Sequence, residues 1–259
     1  MHFILVVDSV IVYEFPLNEH VRTLLKLERL FQQTLQLMKQ DTPLAHHTAL
    51  TTLFCLMEIN ARNEVKTDLQ MDLSRLRQRL NLNRESQQPL PDRQDGIIQQ
   101  IDHTLVALQA LPARIDQVLR EREWLAAIKQ RANIPGGINE FDVPYYHYWQ
   151  HLPATQRRAD LVSWLAPALP VYHALDLVLR HLRESAQPVA LLAQQGLYQQ
   201  SLNGRHGHLL RIGLGSDEPV VPETSANRHA IHIRFLSFAS PTPTCCAANI
   251  EFQLCFCSP

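Results

Sequence analysis

Apolar and polar residues alternate in Ile231-His232-Ile233-Arg234-Phe235, and again in Glu251-Phe252-Gln253-Leu254-Cys255-Phe256-Cys257. A period of two is typical of a β-strand with one face buried and the other in solvent. Segments near 196–203 and 208–214 also concentrate β-favouring residues, and glycines and prolines separate the segments from one another. The C-terminal part of the chain is therefore predicted to be a small antiparallel sheet with one wet face.

The N-terminal residues are predicted to add a strand to this sheet. Phe3-Ile4-Leu5-Val6-Val7 and Val10-Ile11-Val12 form the longest apolar run, which Asp8 interrupts. The run is too short to cross a bilayer, and it lacks the basic leader and the cleavage site of a signal peptide. We therefore expect a strand, an intracellular protein and no membrane partner.

The region between these strands is predicted to be helical. Apolar residues recur at helical spacing, Asn18 is placed to cap the first helix, and the polar residues 83–95 with two prolines predict a loop. One helix carries a narrow seam of leucines, namely Leu69, Leu73, Leu76 and Leu80. Such a seam packs either in a bundle core or against a second copy of the chain.

The predicted fold class is therefore α+β. A mainly helical, bundle-like domain of about six to eight helices spans residues 15–187. An antiparallel β domain is formed by residues 1–14 and 188–259.

The composition limits the possible functions. Only 8 of 259 residues are glycine, which disfavours a large parallel α/β fold with phosphate-binding loops. Lys and Arg (24) nearly balance Asp and Glu (25), and the net charge of −1 disfavours a nucleic-acid binder. The sequence contains no phosphate-loop, dinucleotide-binding or nucleophile-elbow motif. A binding or structural protein without a cofactor is favoured over an enzyme.

A metal- or thiol-dependent enzyme or regulator is the competing hypothesis. His147 and His151 stand four residues apart, as a metal-binding pair on a helix does, but Tyr148 replaces the glutamate of the HExxH motif. The thiols near the C-terminal end are Cys245, Cys246, Cys255 and Cys257. Adjacent cysteines do not match the knuckle spacing of structural zinc. A structural aromatic cluster and reduced, partly exposed thiols are the favoured interpretations.

Arginines are concentrated in two places. A basic run without an acid comprises Arg75, Arg77, Arg79 and Arg84. Arg228 and Arg234 lie on or beside a predicted strand, where His232 shares the polar face of Arg234. A solvated face is the simplest interpretation of any single charge, but together these groups suit an acidic peptide or a carboxylate. Residues 205–208 are predicted to be part of a hairpin turn without neighbouring acids.

Irregular motifs occur in four places along the chain. They are Tyr13-Glu14-Phe15-Pro16-Leu17-Asn18-Glu19 with Arg22-Thr23-x-Leu25 and Glu28-x-x-Phe31-Gln32-Gln33; Glu64-Val65-x-Thr67; Arg131-x-x-Ile134-Pro135-Gly136-Gly137-x-x-x-Phe141-Asp142-x-Pro144-x-x-His147-x-Trp149; and Gly196-x-Tyr198-Gln199. Together they closely resemble the ZapD family, the Z-ring-associated D proteins of bacterial cell division. The resemblance covers roughly residues 11–257, and the third motif is too long and irregular to be a chance match.

The resemblance implies a cytoplasmic, non-enzymatic homodimer at the division site, the mid-cell Z-ring. It implies that the protein binds the C-terminal tail of FtsZ, the tubulin-like GTPase of the ring, and bundles FtsZ protofilaments. Family arginines implicated in that binding match Arg62, in Ala61-Arg62-Asn63-Glu64-Val65, and Arg234. Ala230 stands where another arginine is common, and Arg228, just upstream, is the candidate to replace it.

The resemblance therefore implies an FtsZ-tail site at Arg62, Arg228 and Arg234, without a metal, a cofactor or nucleic acid. Two features depart from the family pattern. Met1 to Asp8 make a longer leader than usual, and the C-terminal end is unusually rich in cysteine.

Overall fold

The computed structural model describes residues 10–60, 64–86, 91–112, 116–132, 134–238 and 241–258. The chain divides into two compact units, Met1–Thr23 with Leu179–Pro259, and Leu24–Val178. The first, here called the β unit, contains the strands, and the second, the helical unit, contains most of the helices. The α+β class is confirmed. The leader from Met1 to Asp8 lies outside the described residues.

Nine α-helices occur in the described ranges. They are α1 (Glu19–Met38), α2 (Pro43–Asn60), α3 (Glu64–Ser86), α4 (Pro91–Gln109), α5 (Gln117–Arg120), α6 (Glu123–Arg131), α7 (Pro144–His151), α8 (Ala154–Leu165) and α9 (Leu169–Glu184). Asn18 caps α1 as predicted, because its Oδ1 accepts a hydrogen bond from the N–H of Val21 at 2.8 Å. The Asn18 side chain therefore stabilises the first turn of α1.

The leucine seam of α3 lies in the core of the helical unit. Leu69, Leu73 and Leu76 are buried, and α3 packs against α4, so the bundle-core interpretation is confirmed for these three residues. The loop predicted at 83–95 is shorter than expected, since α3 continues to Ser86 and α4 begins at Pro91. Proline is compatible with the first turn of a helix, where its missing N–H has no helical partner.

One helical stretch, residues 154–184, is long and apolar enough to cross a membrane by length and composition alone. It consists of α8, a 3-10 turn at Ala166–Ala168, and α9. Within the helical unit many of its apolar side chains are buried, for example Leu161, Trp164 and Leu175. Packing in a protein core therefore accounts for its apolar composition.

The β unit contains eight strands in the part of the chain that is described. They are β1 (Val10–Pro16), β2 (Val189–Ala193), β3 (Leu197–Ser201), β4 (Leu209–Gly215), β5 (Val220–Ala226), β6 (Ala230–Ser237), β7 (Thr244–Cys245) and β8 (Ile250–Cys257). They form two antiparallel sheets with the orders β1-β4-β8-β2 and β3-β6-β5, and β7 pairs with β6. As predicted, the N-terminal strand joins a sheet, with Val10 opposite Gly215 and Pro16 opposite Leu209.

The two sheets share one hydrophobic core, so the prediction of a single sheet was incomplete. The rings of Phe235 on β6 and Phe252 on β8 lie 5.0 Å apart, which joins the two sheets. Alternation shows which side of a strand is buried, but not to which of two sheets the strand belongs. Pro219 and Pro222 also concealed β5. Pro222 is accommodated because β5 is an edge strand, where a missing N–H costs no ladder hydrogen bond.

A half-buried ion cluster fixes the end of α9 on the β unit. Glu14 of β1 accepts hydrogen bonds from Arg183 Nε and Nη2, both at 2.8 Å, and from Arg211 Nε at 3.1 Å. The Arg183 contact is bidentate, which restricts the geometry of the pair. The cluster joins β1, β4 and α9 at one point.

In the helical unit, Arg157 is buried without a carboxylate partner among the described residues. Its Nη2 donates to the carbonyl of Asp41 at 2.7 Å, and its Nη1 donates to the carbonyls of Gln150, at 3.0 Å, and Leu152. Its Nε donates to Nδ1 of buried His46 at 3.0 Å, so His46 carries its proton on Nε2. One guanidinium thus joins the end of α1, the start of α2 and the turn before α8.

Replacing Arg157 with alanine is expected to lower the free energy of unfolding by about 3 kcal/mol, because three carbonyls and a histidine lose their donor in a buried place. Urea denaturation followed by circular dichroism measures the change. Arg79→Ala, at an exposed site on α3, is the control and should change stability by less than about 0.5 kcal/mol. Equal losses for the two variants would contradict this account.

Stability is also expected to fall on mild acidification. Burial, followed by the Arg157 guanidinium, lowers the pKa of His46 below its ordinary value of 6.5. The unfolded state therefore binds more protons between the folded pKa and 6.5, so stability is highest above pH 6.5 and falls as the pH drops through that window. Denaturation midpoints of the wild type and His46→Gln at pH 7.5 and 5.5 test this. A wild type as acid-sensitive as the variant would be the contrary result.

Candidate partner-binding surface

The β5–β6 hairpin carries both of the predicted arginines that the structure describes. Its turn is closed by a hydrogen bond from the Asn227 N–H to the Ala230 carbonyl at 3.0 Å. The Asn227 side chain stabilises the same turn, since its Oδ1 accepts from the N–H groups of His229, at 2.8 Å, and Ala230, at 3.0 Å. Arg228 therefore stands in a tight turn, and Arg234 stands further along β6.

Arg234 lies on the outward face of its sheet. Its neighbours in the strand, Ile233 and Phe235, are buried, while Arg234 is exposed, which confirms the predicted alternation. Glu223 of β5 stands directly opposite Arg234, and Leu197 of β3 stands opposite on the other side. Cross-strand partners in an antiparallel pair point to the same face. Arg234 is thus flanked by an acid on one side and an exposed leucine on the other.

Glu223 pairs directly with Arg234. The Arg234 Nε donates to Glu223 Oε2 at 2.9 Å, and Nη2 donates to the same oxygen. The hydrogen bond and charge of Glu223 raise the pKa of the Arg234 guanidinium, which therefore stays charged. Both side chains are more than half exposed, so the pair is screened by solvent and can exchange partners.

Arg228 has a different environment. Its side chain is exposed, and its Nε donates to Nε2 of the adjacent His229 at 2.9 Å. No ion pair holds it among the residues that the structure describes. Arg228 lies in the turn, whereas Arg234 lies further along β6, opposite Glu223. At a rise of about 3.3 Å per residue, the two arginines are roughly 15 Å apart along the hairpin. The two arginines are therefore separate positions on one hairpin.

The family resemblance raised two further points, the replacement of an arginine at residue 230 by Arg228 and the role of Arg62. Ala230 begins β6 and Arg228 lies in the turn, so Arg228 does not occupy the strand position of Ala230. Arg62 lies in the segment 61–63, outside the described residues. The structure consequently describes Arg228 and Arg234 but not their relation to Arg62.

A cleft beside Arg228 adds two residues that the sequence did not single out as functional. Arg205 and His206, in the connection between β3 and β4, line this cleft together with Arg228. The connection is not a hairpin as predicted, because β3 and β4 belong to different sheets. The sequence signal for this turn was the dipeptide Asn203-Gly204, which is typical of turns. In the structure both residues have positive φ (47° and 80°) and form the turn that precedes Arg205.

The long motif around Gly136-Gly137 forms the loop before α7. A side chain at residue 137 would lie 2.7 Å from the Arg131 carbonyl, so only glycine fits there. An ion pair between Arg131 and Asp142, with 3.2 Å between Nη1 and Oδ1, closes the loop. Phe141, the next residue upstream of Asp142, is 80% exposed, so this motif combines a fixed backbone with an aromatic side chain in solvent.

The cysteines named by the competing metal hypothesis are divided between the two sheets. Cys245 and Cys246 are at β7 in one sheet, whereas Cys255 and Cys257 are on β8 in the other. Nowhere in the described ranges do three or more His, Cys, Asp or Glu side chains form a group suited to a metal ion. The structure therefore gives no support to a shared thiolate site.

His147 and His151 lie next to an aromatic cluster. Their ring centroids are 4.4 Å apart, and His151 Nδ1 bonds to the His147 carbonyl at 2.8 Å. The rings of Tyr146 and Trp149 on the buried side of α7 are 5.8 Å apart, and Trp124 contacts both. This arrangement is the structural aromatic cluster that the sequence analysis favoured.

The thiols also differ in reactivity. Burial raises the pKa of the Cys255 and Cys257 thiols, and the nearby guanidinium of Arg211 only partly opposes this effect. Cys55 and Cys245, in contrast, are exposed. Since the thiolate is the nucleophile, the two cysteines of β8 are chemically protected.

Comparison with known sequences gives the family. The model of the ZapD family, described as a cell division protein, matches residues 25–234. The chain is 44% identical over 252 residues to the cell division protein ZapD of Aromatoleum aromaticum, covering 97% of this chain and 98% of that protein. It is 40% identical to the proteins of the same name from an Azoarcus species (95% and 98% covered) and a Janthinobacterium species (96% and 99% covered).

These matches place the chain in the class of cell division proteins. They cover nearly the whole chain and its relatives, and the identities are well above those at which a family relationship becomes ambiguous. The chain belongs to the ZapD family. The resemblance stated from the motifs is confirmed.

Thiol labelling tests the placement of the cysteines. In the folded protein at pH 7.5, an aromatic disulfide reagent is expected to modify Cys55 and Cys245 at least about tenfold faster than Cys255 and Cys257, because the latter are buried and less ionised. Mass spectrometry of peptides at successive times identifies the sites. Labelling in urea serves as the control and should remove the difference. Equal rates in the folded protein would show that β8 is not protected as described.

Proposed function

We propose that this protein binds the C-terminal tail of FtsZ and cross-links FtsZ protofilaments in the Z-ring. Membership of the ZapD family supports a role in cell division. The observation that carries the finer proposal is the β5–β6 hairpin, which presents the exposed guanidinium groups of Arg228 and Arg234 on the β unit. Arg62, which the family resemblance also implies, is included as a third contact.

The chemistry of the site is that of a carboxylate receptor. The planar fork of a guanidinium matches a carboxylate, and Glu223 already accepts hydrogen bonds from Nε and Nη2 of Arg234 with one carboxylate oxygen. A tail carboxylate can therefore replace Glu223 on Arg234 without altering the strand. Next to this position, the 53% exposed side chain of Leu197 offers an apolar contact for the same segment.

Bundling requires two tail sites on one particle, and a symmetric homodimer supplies them from a single chain. Each contact can be weak, because two linked sites acting on two polymers gain affinity through multivalency. In this proposal the protein acts in the cytoplasm at the division site, as a scaffold and not as an enzyme. No metal, cofactor, nucleic acid or membrane takes part.

Co-sedimentation with GTP-assembled FtsZ tests the proposal. The wild-type protein should pellet with full-length FtsZ and not with FtsZ lacking its C-terminal tail. Arg234→Glu, which reverses the charge next to Glu223, is expected to reduce pelleting about tenfold at low salt. Arg29→Glu makes the same charge change at an exposed site on α1 and should pellet like the wild type.

Two results would overturn the proposal. One is pelleting of the wild type that does not depend on the tail. The other is intact bundling by Arg234→Glu when circular dichroism shows that the variant is folded. Glu223→Gln adds a check in the opposite direction, because freeing Arg234 from its internal partner should preserve or strengthen tail binding.

A further inference from the structure

A cleft of about 260 Å³ opens at the end of the β unit where the β5–β6 turn lies. Three connections form its walls: the one from β1 to α1, the one from β3 to β4, and the β5–β6 turn. The residues that line it are Leu17, Leu202, Arg205, His206, Gly207, Ala226, Asn227 and Arg228. All of them belong to the β unit.

Backbone hydrogen bonds hold the three walls together. The Leu202 N–H donates to the His229 carbonyl at 2.7 Å, which ties the β3–β4 connection to the β5–β6 turn. His208 joins the other wall, since its carbonyl accepts from the Leu17 N–H at 2.9 Å and its own N–H donates to the Cys257 carbonyl at 2.8 Å. The cleft is therefore organised before any ligand enters, which lowers the entropic cost of binding.

The shape of the β3–β4 connection also depends on Gly207. A Cβ at this position would lie 2.3 Å from the ring of Phe256, which packs against the loop. The ring therefore leaves room only for glycine at residue 207, next to the exposed Arg205 and His206 that line the cleft.

The charge of the cleft is uncompensated. Arg205 and Arg228 contribute two guanidinium groups, His206 and Asn227 contribute further polar groups, and no Asp or Glu lines it. Within the described part of the chain, neither arginine forms an ion pair, whereas Arg234 is paired with Glu223. The Arg228 bond to His229 uses only Nε, so both terminal nitrogens remain available as donors.

The cleft also has an apolar side. Leu17, Leu202 and Ala226 line it beneath the charged groups, and Leu202 is buried. Its volume is below the roughly 300–1,000 Å³ of pockets that hold drug-sized ligands. A ligand that fits is small, carries an anionic group for the two arginines, and has an apolar part within a few ångströms of that group.

We propose that this cleft binds the terminal residue of a partner chain, with the free α-carboxylate on Arg205 and Arg228 and the last side chain against Leu17, Leu202 and Ala226. A chain end combines a carboxylate and a side chain on one Cα, which an internal acidic residue does not. The inference rests on the proposed function, because the partner chain is the C-terminal tail of FtsZ. It assigns Arg205 to tail binding. It also gives the two hairpin arginines different roles, since Arg228 binds the terminal carboxylate and Arg234 does not.

Fluorescence anisotropy with synthetic peptides of the FtsZ tail tests the inference. Two N-terminally labelled peptides of the same sequence are compared, one with a free C-terminal carboxylate and the other with a C-terminal amide. The amide should bind the wild-type protein about tenfold more weakly, because it lacks the negative charge that the two arginines bind. Equal affinities for the two peptides would overturn the inference, and this comparison requires no protein variant.

A second comparison locates the contact. Arg205→Ala should weaken the free-acid peptide about tenfold and reduce the preference for it over the amide, because Arg228 alone remains to bind the carboxylate. The control Arg29→Ala, at an exposed site on α1, should behave like the wild type. A folded Arg205→Ala variant that keeps the full wild-type preference for the free acid would also overturn the inference. If the wild type binds neither peptide, the proposed function itself fails; if it binds both equally, only the assignment of this cleft fails.

Discussion

The shared core of the two sheets determines where the polar side chains of the β unit point. Ile231, Ile233 and Phe235 are buried in that core, and a strand that slipped by one residue would turn all three toward solvent. The register of β6 is thus strongly fixed. Arg234 consequently faces outward opposite Glu223, and the turn at residues 227–230 is held at the end of the sandwich. The position of Arg234 follows from the burial of its neighbours, and the position of Arg228 follows from the turn.

Much of this architecture was predictable from local pattern. Alternation identified β6 and β8, the Asn18 cap was evident, and the spacing of Leu69, Leu73 and Leu76 identified a packed seam. These features depend on residues close together in sequence. The division of strands between two sheets depends on long-range pairing, which one sequence does not display, and the edge strand β5 was concealed because proline usually interrupts strands.

The candidate site was predictable in part for the same reason. His232 and Arg234 on one polar face follow from the period of a strand, but the pairing of Arg234 with Glu223 requires the cross-strand register. Arg205 reaches Arg228 only because the β3–β4 connection crosses between sheets and Gly207 lies against Phe256. From the sequence alone, residues 205–208 looked like an ordinary turn. The family resemblance identified the candidate arginines. The structure shows that Arg228 and Arg234 have different electrostatic surroundings.

The pairing of Arg234 with Glu223 has a consequence for ionic strength. A partner carboxylate that enters at Arg234 exchanges one anion for another, so the number of ion pairs in the system is unchanged and screening affects both sides of the exchange alike. Arg205 and Arg228 carry no such internal counter-ion among the described residues, and an anion that binds them creates new pairs. If these arginines bind a partner as proposed, the sensitivity of association to salt is expected to originate at the loops of the β unit, while the strand position contributes selectivity for shape.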